Sequence, residues 1–192
     1  MRNISMVFVF LTIILFSMFI ICSLTTLSVK DDELEYAVSY AAEMTIDSLN
    51  NGYLSGKNIK PNENYSRYYH YDEAISECIA EIYAEGLINS EQKEYIKQQN
   101  FMHVSQILNS EYIRSIDEHL PEHFANIVIE KVFINILMEV RDSNANYDVK
   151  FYYVDAVNGI LDVQVTQSSK YNYNNTCKTS VRKTVIKENF VK

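Results

Sequence analysis

The chain has 192 residues, a formal net charge of −8, four Gly and two Pro. A chain of this length can form a core without a disulfide or metal staple, and so little Gly and Pro excludes collagen-like and low-complexity classes. The acidic balance argues against nucleic acid or an anionic lipid surface as a partner.

The first feature in chain order is an uncharged stretch between Arg2 and Lys30. Residues 4–29 (ISMVFVFLTIILFSMFIICSLTTLSV) would form a helix about 39 Å long at about 1.5 Å per residue, against a hydrocarbon core of about 30 Å. The sequence therefore predicts a transmembrane helix at 4–29, a cytoplasmic stub at 1–3 and an extracytoplasmic domain at 30–192. A cleaved signal peptide is the competing reading, but the apolar run is too long and Leu24-Thr25-Thr26-Leu27-Ser28 offers no small-x-small cleavage site. Arg2 and the terminal amine lie before the stretch, the mostly acidic Lys30-Asp31-Asp32-Glu33-Leu34-Glu35 lies after it, and only a short stub has to stay in, so the N-terminus is expected inside, which predicts a single-pass cell-membrane protein with its C-terminal domain outside.

Leu34, Val38, Ala41, Thr45 and Ser48 recur at helical spacing. One long helix is thus expected to continue through 30–51 and stop at Asn51-Gly52. Residues 53–71, with Gly56, Pro61 and several Asn, read as a loop. It holds Tyr65-Ser66-Arg67-Tyr68-Tyr69-His70-Tyr71, an aromatic and basic cluster that can stack on sugars or bases but reads more simply as packing.

A helical part is expected over 72–142. Asp72 can cap a helix with an apolar stripe at Ile75, Cys78, Ile79, Ile82 and Tyr83, closing near Gly86. Asn89 or Ser90 opens another helix through Gln99. Pro121 suits the first turn of a helix from Pro121 to Arg141, nearly all apolar except Asn126, Glu130, Asn135 and Glu139. Its many β-branched residues leave a strand as the alternative.

Residues 147–187 read as an antiparallel meander. Val149, Phe151 and Tyr153 alternate, as do Leu161, Val163 and Val165. A three-residue loop Val157-Asn158-Gly159 would pair Tyr153 with Val163 and Phe151 with Val165. Asn172 to Asn175 is a second turn, followed by a strand from Thr179 to Ile186. The expected class is α+β: a long N-terminal transmembrane helix running into several helices packed on a small C-terminal antiparallel sheet.

Charge is unevenly placed. From Ser168 onward there are six basic residues against Glu188. Either the two parts of one domain attract each other, or copies pack acidic part against basic part. Of the three cysteines, Cys22 lies in the apolar stretch; Cys78 and Cys177 either pair or stay as buried thiols.

No phosphate loop, dinucleotide fingerprint, nucleophile elbow or CxxC pair occurs. Asp117, Glu118, His119, Glu122 and His123 carry zinc-ligand types, but Pro121 breaks the single helical face that two His at i and i+4 require. A helix junction with solvated polar residues is the simpler reading. No catalytic, cofactor or metal residues are therefore assigned, and no cofactor, nucleic acid or small-molecule ligand is expected.

Asp32-Glu33-Leu34-Glu35-Tyr36-Ala37-Val38 after the apolar stretch, together with Phe151 to Asp155 and Gly159 to Val165, resembles type IV pilin-like proteins. It looks closest to the TadE-like membrane-anchored pseudopilins of Tad-type pilus loci, although Met1 to Ile4 lacks the Gly of a prepilin cleavage site. The resemblance implies a non-enzymatic structural or assembly component of a surface appendage or transfer apparatus. Its partners would be the membrane and other proteins or copies of itself, met through the N-terminal helix. A membrane-tethered ligand-binding or sensing module is the alternative, and it requires a concave apolar pocket in the head.

Overall fold

The computed structural model describes residues 2–51, 61–101, 103–141, 145–171 and 175–186. Within them, side chains are described except at 2–8, 23, 26–27, 47–51, 61–70, 170–171 and 175–176. Among the described residues there are six helices: α1 (Arg2–Asn51), α2 (Pro61–Ala84), α3 (Ser90–Gln98), α4 (Val104–Leu108), α5 (Glu111–Ile116) and α6 (Leu120–Val140). Three strands, β1 (Asn146–Asp155), β2 (Ile160–Tyr171) and β3 (Asn175–Ile186), form an antiparallel sheet in the order β1-β2-β3. The architecture is α+β.

The membrane span expected at 4–29 is overturned. Among the described residues no helix is long and apolar enough to cross a membrane. The single-pass cell-membrane placement fails with that span. The long helix itself is present: α1 ends at Asn51, where Gly52 follows.

The loop expected at 53–71 is corrected in part. Residues 53–60 lie outside the described residues, while α2 already begins at Pro61. Proline's preset φ and missing N–H suit a first helical turn, and no Gly or further Pro interrupts the chain before Gly86. Asp72 therefore lies inside α2 instead of capping it. The helix ends on a Schellman arrangement: Gly86 N–H donates to Tyr83 O (3.1 Å) and Leu87 N–H to Ile82 O (3.0 Å). Gly86 sits at φ 77°, a conformation that costs residues with a Cβ. α3 opens on a reciprocal cap, in which Asn89 Oδ1 accepts from Gln92 N–H (2.9 Å) and Gln92 Oε1 from Asn89 N–H (2.8 Å).

α6 is the hub, packed against α1, α2, α4, α5 and β1. Phe124, Ala125, Val128, Ile129 and Phe133 on it are wholly buried. Burial on nearly every side outweighs the strand preference of its β-branched residues, and Pro121 starts it cleanly. α1 covers β3 and part of β2, while α6 covers β1, where Phe133 meets Phe151 edge to face at 5.7 Å between ring centroids. Leu161, Val163 and Val165 of β2 fill the space beneath them with no exposure.

The β1–β2 register differs from the expected one. Phe151 pairs with Val163 and Val149 with Val165, and an irregularity between Phe151 and Tyr153 places Tyr153 opposite Asp162. The loop is four residues, Ala156 to Gly159. The cause is local. Asp155 Oδ1 accepts from the N–H of both Val157 and Asn158 (2.9 Å each), Gly159 takes φ 65°, and Ala156 N–H donates to Asn126 Oδ1 on α6 (2.8 Å). The turn is thus held to α6, and the bulge returns the strand to phase by turning Tyr152 and Tyr153 outward together. The turn at 172–174 lies outside the described residues; β3 begins at Asn175, four residues before the expected Thr179.

Candidate interaction surface

α1 has two halves with opposite surroundings. From Leu34 to Ile46 one face is in the core: Leu34, Val38, Ala41, Ala42, Thr45 and Ile46 are at most 2% exposed. From Val9 to Leu24 nothing among the described residues covers the helix. Phe10, Phe16, Phe19 and Leu24 are 60–67% exposed, and so are Leu15 and Met18. Because these residues lie all round the helix, every side of it is apolar. Ser17 Oγ within it donates to Ile13 O (2.8 Å), and Thr25 Oγ1 just past it donates to Ile21 O (2.6 Å). A dozen such side chains present on the order of 1,000 Å², well above the roughly 300–600 Å² of a typical monomer's largest apolar patch.

No family model, curated protein or solved structure matches the chain.

The residues singled out around Pro121 are not brought together. Asp117 Oδ1 accepts from His119 N–H (2.8 Å), which fixes the turn before α6. His123 lies beside Glu85 of α2, Nε2 to Oε2 3.4 Å, not beside His119. Among the described residues no group of three or more His, Cys, Asp or Glu could hold a metal ion. Cys22, Cys78 and Cys177 are not joined in disulfides. Cys78 is buried in the α2–α6 contact, with its Sγ 3.5 Å from Phe124 O, and burial, reinforced by the Glu81 charge, pushes its thiol up. Such a thiol packs as a small hydrophobe and is a poor nucleophile. Of the aromatic cluster at 65–71, only the side chain of Tyr71 is described. It is buried in the core, and burial pushes its hydroxyl up.

What the sequence did not single out is the acidic cleft between α2, α6 and β1, a cavity of about 340 Å³ lined by Glu81, Glu85, His123, Asn126 and Glu130. Glu73, Glu77, Glu81 and Glu85 repeat at steps of four along α2, a spacing that places like charges on one face. Glu81 is relieved by Lys131 at 2.8 Å, whose ammonium the same contact pushes up. Glu130 is half-buried, and burial followed by the Glu81 charge holds its carboxyl above the usual range. Among the described residues the cleft contains no nucleophile paired with a base.

Proposed function

We propose that the chain is a non-enzymatic structural or assembly component, pseudopilin-like in plan, whose α+β head is carried on α1 while protein neighbours cover the helix from Val9 to Leu24. The observation supporting this reading is the exposed apolar half of α1. A helix apolar on all sides is stable in aqueous surroundings only when other surfaces enclose it. The Ser17 hydroxyl is already bonded to the Ile13 carbonyl of the same helix, so enclosing the helix does not strand it.

Photo-crosslinking tests the reading. A benzophenone side chain is placed in turn at Phe10, Phe16 and Phe19 in intact cells, with Tyr152 on the outer sheet face as the control. Specific protein adducts are expected from the three helix positions and not from Tyr152. Absence of protein adducts at all three, with the head folded, overturns the reading.

A further inference from the structure

Three polar residues lie in the core among the described side chains: Thr45, Gln167 and Ser169. Two have evident partners. Thr45 Oγ1 donates to Ala41 O (2.6 Å), and Ser169 Oγ accepts from Lys30 Nζ (3.0 Å). Gln167 is 3% exposed, yet among the described residues its side-chain amide has no hydrogen-bond partner. It occupies the inward register of β2, continuing Leu161, Val163 and Val165, where an apolar residue would pack without cost.

The amide opens onto a cavity of about 500 Å³ where α1, the end of α6 and the sheet meet. Leu34 and Ala37 of α1 and Val140 of α6 supply apolar wall. Arg141, the residue capping the C-terminus of α6, lines the cavity with its guanidinium carbon 5.7 Å from the ring centre of Tyr147, and Glu33 lines it from α1. Among the described residues neither Arg141 nor Glu33 forms an ion pair. The cavity thus gathers one cation, one anion, one amide and an aliphatic wall, with the Tyr36 and Tyr147 rings beside them, and among the described residues Arg141, Glu33 and Gln167 form no side-chain hydrogen bond or ion pair.

We propose that this cavity binds a small zwitterion with an apolar side arm, of the α-amino acid class. Arg141 takes the carboxylate, where a guanidinium matches the two oxygens. Glu33 takes the ammonium, Gln167 donates to or accepts from the same polar end, and the side arm lies on Leu34, Ala37 and Val140. This site lies in the head and does not depend on what covers the apolar half of α1. It departs from the expectation that no small-molecule ligand binds; an inward-register glutamine among aliphatics is the signal that could have raised it.

The test is calorimetric titration of the full chain with L-valine, L-leucine and L-phenylalanine, and with 4-methylpentanoate, which is leucine without its amine. At least one amino acid should saturate one site per chain, and 4-methylpentanoate should bind at least tenfold more weakly than leucine. Arg141→Gln and Gln167→Leu should each weaken binding at least tenfold. The unliganded Gln167→Leu chain should melt no lower than the parent, which separates loss of a ligand contact from loss of the fold. Saturation by none of the amino acids overturns the proposal. So does equal affinity for leucine and 4-methylpentanoate, or affinity unchanged by both substitutions.

Discussion

α6 and the first half of α1 are both apolar on nearly every side, yet they meet opposite fates. α6 is enclosed by α1, α2, α4, α5 and β1, so Phe124, Val128 and Phe133 are wholly buried. Val9 to Leu24 has the same kind of surface and no cover among the described residues, with Phe16 67% exposed. The difference lies in chain topology, not in composition. α6 sits mid-sequence, where both preceding helices and following strands can fold back on it. The start of α1 extends beyond the head, and no other described element packs there. An all-round apolar helix reports that it must be enclosed; whether its own chain or another body does so is decided by where the helix lies.

The sharpest way to break this comparison is to make the same cut in both helices. Phe133→Ala empties a fully enclosed site against Phe151 and should cost about 3–5 kcal/mol of head stability in denaturant unfolding. Phe16→Ala removes an equal side chain from an uncovered site and should change the same quantity by less than about 0.5 kcal/mol. Similar losses at both positions would mean that the chain itself covers the start of α1.

A smaller effect is expected from the cover of α6. The turn at Gly86 ends α2 and fixes how that helix lies on α6. Its φ of 77° costs a residue with a Cβ about 1–2 kcal/mol, although nothing stands within 4 Å of where a Cβ would sit. Gly86→Ala should therefore lower stability by about 1–2 kcal/mol through backbone strain alone, and Gly86→Asn by less. If Gly86→Ala is neutral, the turn is soft and α2 does not depend on it.

Much of this arrangement was legible in the sequence. Helical spacing marked the α2 stripe at Cys78, Ile79 and Ile82, Asn89 marked the opening of α3, and period-two alternation marked β1 and β2. The absence of Gly or Pro before Gly52 marked a helix reaching Asn51. What was not legible depended on long-range partners. The β1–β2 register shifted because Asn126, thirty residues earlier, holds the turn at Ala156. Tyr153 faces outward for the same reason, and its hydroxyl donates to Asp155 Oδ2 at 3.0 Å. The α2–α6 cleft was hidden because its glutamates come from two helices separated by three others. Apolar composition near the N-terminus was read as a span, whereas among the described residues no helix is long and apolar enough to cross a membrane.

Glu130 offers the finest test, because it places an ionisable group on the very helix that is otherwise enclosed. Burial, then the Glu81 charge, raises its carboxyl pKa in the folded chain, against the opposing pull of Lys131 and His123. The folded state therefore holds this proton more tightly than the unfolded chain does, and above the raised pKa the carboxylate destabilises the fold. That penalty fades as pH falls through the folded pKa and is gone below the ordinary value of 4.5, where both states are protonated. Glu130→Gln should thus raise the melting temperature at pH 7, on the order of 2 °C for a chain of this size. The gain should shrink steadily toward pH 4. Asp155 and Asp162 have lowered pKa values and drive the opposite trend, Asp162 through Arg182 and Asp155 through hydrogen bonds from Asn158 that outweigh its burial. Both titrate alike in parent and variant, so they cancel in the difference. A gain that stays constant from pH 7 to pH 4 would show that the amide packs better than the carboxyl for reasons other than charge. The enclosure of α6 would then carry no electrostatic cost at this position.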